Sequence, residues 1–136
     1  MELTIQHLDG VRFEVAARGH RAICDQPSDN GGADTGMSPP EFLLASLGSC
    51  AAYYAVEYLR ARGLASDGLQ VKVTAEKVTG PARLESFRIE ITVPGLEEER
   101  HVAGVHRAAK LCLIHNTLLQ APSIEIRVNA PVLEPR

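Results

Sequence analysis

The sequence has no tryptophan, and aromatic residues make up only 4% of its 136 positions. Between Ala22 and Leu59 there is no lysine or arginine, and the 14 basic residues elsewhere are scattered through a chain of net charge -3. Nucleic-acid binding needs a clustered basic face, so it is not expected. No Cys-x-x-Cys pair occurs, which argues against a structural zinc site, and three cysteines are an odd set for a disulfide framework. The start Met1-Glu2-Leu3-Thr4 has neither the basic patch nor the apolar stretch of a secretory signal. A cytoplasmic protein with reduced thiols is therefore expected. The longest uncharged run, Phe42 to Val56, is shorter than the roughly 18 to 20 residues a spanning helix needs, so no membrane anchor is expected either.

What is present fits one domain over residues 1–136, large enough to bury a core without metal or crosslinks. Glu2–Leu8 and Val11–Ala17 flank Asp9-Gly10, a dipeptide suited to a tight hairpin turn, and His20–Gln26 alternates as a third strand. The polar, glycine-rich segment from Pro27 to Gly36 reads as a loop. Ser38, Pro39 and Glu41 then spell a helix start, with a capping serine, proline in the first turn and the glutamate of a capping box. Arg60, Arg62 and Gly63 mark its end about six turns later. Leu69–Val78 and Leu84–Val93 alternate as two further strands around Gly80-Pro81. Glu97, Glu98 and Glu99 open a second helix whose apolar period runs through Val102, Val105 and Ala109 and brings Cys112 near its end. A last strand is expected over Ser123–Val128. The order is three strands, helix, two strands, helix, strand, an α+β fold with neither repeats nor an interdomain linker.

Chemistry concentrates on the thiols. Cys50 lies in the middle of the apolar helix, about 15 Å from its start, beyond the first turn over which a helix dipole acts. Apolar surroundings raise a thiol's pKa, so a reactive Cys50 needs a cation or hydrogen-bond donors supplied by the fold. Arg12, Arg18 and Arg21 are candidates, and spacing selects none of them. Cys112 is the second thiol. His115 follows it at i+3, the spacing of an acid-base partner on a continuous helix, although a histidine near a helix end needs no such role. Cys24 reads as a buried or incidental thiol. No cofactor or metal is expected.

The run Ser38-Pro39-Pro40-Glu41-Phe42-Leu43-Leu44-Ala45-Ser46-Leu47-Gly48-Ser49-Cys50, together with Cys112-Leu113-Ile114-His115-Asn116-Thr117-Leu118, resembles the OsmC/Ohr proteins. The resemblance covers nearly the whole chain and includes the roughly sixty-residue spacing of the cysteines. It implies antiparallel sheets wrapped around two central helices in an intertwined homodimer, with thiol sites at the subunit interface. It also implies a thiol-dependent peroxidase acting on organic hydroperoxides. Cys50 would form a sulfenic acid, Cys112 would resolve it to a disulfide, and an external dithiol would restore the enzyme. The family's glutamate ten residues before the first cysteine is matched here by Pro40, with Glu41 one place nearer as the catalytic candidate. No counterpart of the family's thiolate-pairing arginine lies between Ala22 and Leu59, a pattern closer to the OsmC-like branch. The alternative function is a non-catalytic dimer that binds a small hydrophobic ligand at its interface, or a redox sensor.

Overall fold

The computed structural model describes residues 1–131. Along the chain run β1 (Thr4–Asp9), β2 (Arg12–Ala17), β3 (His20–Cys24), α1 (Pro39–Ala61), β4 (Gln70–Val78), β5 (Arg83–Thr92), α2 (Glu99–Ala109) and α3 (Leu113–Leu119). Strands β1, β2 and β3 form one antiparallel sheet, and β4 pairs with β5 in a second. The fold is α+β, and as far as α2 the order is the one read from the sequence, with each expected strand of the two meanders within two residues of its observed ends.

Helix α1 organises the rest. Its start follows from the capping box, in which the Glu41 carboxylate accepts from the Ser38 backbone N–H at 3.0 Å and its hydroxyl at 2.8 Å. Its end is set by Arg62 and by Gly63, whose φ of +65° suits a residue without Cβ. The helix buries Leu47, Gly48, Ala51, Ala55 and Leu59. Ala55 and Leu59 meet Val105 of α2 in the core cluster, flanked by Tyr58, Leu69, Ile91 and Val93. Complete burial of Leu59 alone contributes about 1.5 to 3 kcal/mol. On the sheet side, β4 and β5 pair Val73 with Ile89 and Val71 with Ile91. A Cβ on Gly48 would lie 2.7 Å from Val73 Cγ2, so the glycine lets α1 settle close to β4. By length and composition α1 could cross a membrane. Instead β4, β5, α2 and α3 pack along it, the setting of a core helix.

The crossing of α1 and α2 is equally close. Gly104 faces the phenol of Tyr58, with no room for a methyl group. The ring is fixed from two directions, because its hydroxyl is hydrogen-bonded to His101 Nδ1 at 3.0 Å and the Arg62 guanidinium lies 3.7 Å over its face.

A buried carboxylate holds the loop that delivers the chain to α1. Asp25, 1% exposed, accepts from the Thr35 hydroxyl at 2.7 Å and from the Thr35, Ala33 and Gln26 amides at 3.1, 3.3 and 2.8 Å. The Thr35 contacts are foremost in lowering its pKa from 3.8 to about 2. Gly32 and Gly36 pass directly against the carbonyls of Gln26 and Ile23, where a side chain has no space.

Two sequence expectations are corrected. Residues 123–128 form no strand. Sheet hydrogen bonds need a neighbouring edge, and this segment meets none among the described residues, leaving Ile124, Ile126 and Val128 more than 80% exposed. Helix α2 stops at Ala109, before Cys112, and a separate helix α3 begins after it. Cys112 is extended, with φ -54° and ψ 127°, because it serves as the N-cap of α3.

Two outcomes are expected. Gly104→Ala lowers stability by about 1 to 3 kcal/mol through overpacking against Tyr58, while Gly95→Ala, where a Cβ meets open space, leaves the thermal midpoint unchanged. The depressed Asp25 pKa means its contribution is fully present above about pH 4 and disappears as pH falls through about 2. Amide exchange at Thr35 should accelerate across that window in the wild type, and Asp25→Asn should be fast at every pH.

Candidate functional site

Leu43, Leu47 and Cys50 follow one another at i, i+4 and i+7, which aligns them on a single face of α1. Helix α3 packs against α1 and carries Cys112 at its N-cap. The two thiols are neighbours: Cys112 is fully buried, and the nearby Cys50 thiol helps to keep it protonated. Both are free thiols. Burial is the foremost reason that the Cys112 pKa is raised, and the contact with Cys50 adds to it. The amides of His115 and Ile114 act in the opposite sense by donating to the sulfur, the former at 3.4 Å.

A cavity of about 650 Å³ opens one helical turn away from the pair, with neither thiol in its lining. Leu43 and Leu47 of α1, Phe87, Ile89 and Ile91 of β5, and Leu118 of α3 give it an apolar wall. Its polar side chains are basic: His106 and Lys110 at the end of α2, and His115 in the first turn of α3. Leu47 stands one turn before Cys50 and His115 one turn after Cys112, so the cavity adjoins the thiols from both helices. A volume of this size suits a small organic molecule.

Glu41 is not brought to this pair in its own chain. It lies nine residues before Cys50, about 13 Å along the axis at 1.5 Å per residue. Its carboxylate is engaged by Ser38, whose backbone and hydroxyl hydrogen bonds hold its pKa below the usual value. Nor does an arginine arrive. Arg12 pairs with Asp9 at 2.7 Å and Arg21 with Glu14 at 2.6 Å within the N-terminal sheet. Arg18 occupies the β2–β3 turn with φ +50°. Among the described residues, no arginine donates to the Cys50 sulfur. Cys24 is buried at the end of β3, paired with Phe13, and belongs to the N-terminal sheet. No three His, Cys, Asp or Glu side chains among the described residues are gathered as metal ligands.

The sequence reading missed the basic rim and the capping role of Cys112. His106 and Lys110 carried no local signal, because they fall in an amphipathic helix whose polar positions are ordinarily solvated. Cysteine is outside the set of residues normally sought at an N-cap.

Known proteins place this geometry in a family. The OsmC-like protein family matches residues 31–127, which include both thiols and α1. No curated protein sequence matches the chain. Among solved structures, an osmotic stress induced and detoxification response protein of Psychrobacter arcticus is similar with a TM-score of 0.79 at 21% identity, over 85% of each chain. An OsmC-like protein of Mycoplasma pneumoniae gives 0.73 at 21% identity, covering 88% of this chain and 87% of that one. An organic hydroperoxide resistance protein of Elizabethkingia anophelis gives 0.64 at 18% identity, covering 86% and 87%. At these identities the likeness concerns the fold. With the family match spanning both cysteine segments, the chain belongs to the OsmC-like protein family.

Proposed function

We propose that the protein is a thiol-dependent peroxidase that reduces organic hydroperoxides in oxidative-stress defence. The observation that carries this reading is the contact between Cys50 and Cys112 beside an apolar cavity. Cys50 is the more accessible of the two sulfurs and serves as the attacking thiolate. It attacks the distal oxygen of ROOH, the O–O bond breaks, ROH leaves with a proton, and Cys50 becomes a sulfenic acid. Cys112 then displaces water to close the disulfide, which an external dithiol reduces. The leucine and isoleucine wall favours an alkyl or aryl group on the peroxide over hydrogen peroxide itself. Organic hydroperoxide resistance proteins with this fold, from Vibrio cholerae and Elizabethkingia anophelis, support the same chemistry.

The active species in this reading is an intertwined homodimer in the cytoplasm. Three features support the assembly. The sheet of β1, β2 and β3 makes no extensive contact with the helices of its own chain. Leu3 and Ile5 are more than half exposed, and so are Ile124 and Ile126 on the strand-like segment that lacks a neighbour. The exposed stripe of α1, Ala45, Ser49 and Tyr53, is uncharged. A second copy covers all three, brings an arginine to Cys50, and is the only route by which Glu41 reaches a thiol. Without a cation at Cys50, the competing reading is an interface pocket that binds a small hydrophobic ligand, with the thiols as lining or as a slow redox sensor.

Stopped-flow mixing of reduced protein with cumene hydroperoxide should give thiol loss and disulfide formation much faster than with hydrogen peroxide. Cys50→Ser should abolish it, and Cys112→Ser should leave Cys50 overoxidised in mass spectra. Oxidation at the rate of an ordinary free thiol would reject the peroxidase and favour ligand binding. Sedimentation equilibrium should return twice the 14.7 kDa chain mass, and Ile126→Asp should shift the protein toward the monomer or the unfolded state.

A further inference from the structure

The buried Cys112 thiol poses a problem of proton transfer. Its thiolate is needed to close a disulfide, yet burial and the neighbouring Cys50 thiol both hold the proton on the sulfur. The amides that donate to the sulfur stabilise the anion and cannot accept its proton. The ionisable side chains facing the region are Cys50 of α1, His106 and Lys110 of α2, and His115 of α3, while β5 presents only apolar residues. A lysine ammonium has no lone pair, and His106 is exposed on the far rim.

Helix α1 shows what His115 is placed to do. There the N3 side chain, Glu41, turns back to the N-cap residue Ser38. In α3, Cys112 and His115 hold the same N-cap and N3 positions, and the sulfur accepts the His115 backbone N–H as a capping side chain does. The reverse half of the box is not made, because the Cys112 backbone N–H donates to the Ala109 carbonyl at 3.3 Å. His115 Nδ1 is consequently buried with no hydrogen-bond partner, the Cys112 sulfur included, although both lie in the same helical turn; taking up the thiol proton therefore requires a turn of the imidazole toward the sulfur or one intervening water. A buried imidazole nitrogen with no partner is costly unless it has a proton to receive.

We propose that His115 is the general base that takes the proton from Cys112 as the Cys50–Cys112 disulfide closes. The S–H proton passes to the imidazole, and the sulfur electron pair forms the new S–S bond as the S–O bond of the Cys50 sulfenic acid breaks. The imidazolium then protonates the departing hydroxide, so that water leaves. Cys112 is oxidised and the Cys50 sulfur reduced, with His115 returned to its starting state. The natural electrophile depends on the peroxidase reading, but the base is testable without any peroxide.

The test uses 5,5′-dithiobis(2-nitrobenzoate) in excess on a Cys24→Ser protein, which retains only the two site thiols. Release of the first thionitrobenzoate reports labelling of Cys50 and scales with reagent. Release of the second reports attack by Cys112 and is independent of reagent concentration. At pH 7 the second phase should slow by about 100-fold in His115→Asn and His115→Ala, with the first phase unchanged. The deficit should narrow as pH rises and the thiol ionises unaided, and added imidazole at fixed pH should restore His115→Ala. Closure at the wild-type rate in both variants would overturn the proposal. So would an equal loss at every pH with no response to imidazole, which would mark a purely structural cap. Because the electrophile is a supplied disulfide, inertness toward hydroperoxides would sink the peroxidase reading and leave this measurement intact.

Discussion

A 23-residue helix whose central run from Phe42 to Val56 carries no charge has to be kept from water, and nearly every other element answers to that requirement. The β4–β5 hairpin covers one side of α1, α2 crosses it at Tyr58 and Gly104, and α3 closes over the turn that carries Cys50. These elements leave a flank of Ala45, Ser49 and Tyr53 uncovered, while the N-terminal sheet makes no extensive contact with the described helices of its own chain. The two deficits are complementary. The close approaches at Gly48 and Gly104 matter for the same reason, since removing a methyl group from each contact lets larger neighbours exclude water.

The burial that shields Cys112 also works against its ionisation. A sulfur held in apolar surroundings is protected from random oxidants and is a poor nucleophile until a charge or a base is supplied. The structure divides that supply unevenly. Cys112 has two amides and an adjacent imidazole from its own helix, whereas Cys50 receives no arginine from the described residues of its own chain. In the proposed assembly the first chemical step depends on a second copy, and the second step is equipped within one protomer.

Local signals revealed much of this. Ser38, Pro39 and Glu41 define the start of α1 within one turn, and alternation in β4 and β5 reports a half-buried surface directly. The two cysteine segments pointed to the site because their likeness to a family was carried by residues close in sequence. Contacts made over distance were not legible. Asp25 reads as an ordinary polar residue at a strand end until Thr35 and Ala33 are folded back onto it. The break before Cys112 has no glycine or proline to announce it, and a thiol is not the usual cap. The expected strand over Ser123–Val128 does not form, because a strand also needs a neighbouring edge and the described residues of one chain offer it none.

Cys112 joins two quantities that are usually separate. The sulfur that is available for oxidation is also the acceptor that starts α3, receiving the His115 amide. Bonding it to another sulfur replaces the thiol acceptor with a disulfide sulfur and so changes the free energy of the helix's first turn. By linkage, whatever favours one redox form of this turn over the other alters the ease of oxidising Cys112 by that difference. Leu118 and Leu119 of α3 line the cavity, so its occupant touches the same short helix whose first turn the sulfur holds. An occupant that contacts this helix differently in its two redox states would therefore link its binding to oxidation through seven residues.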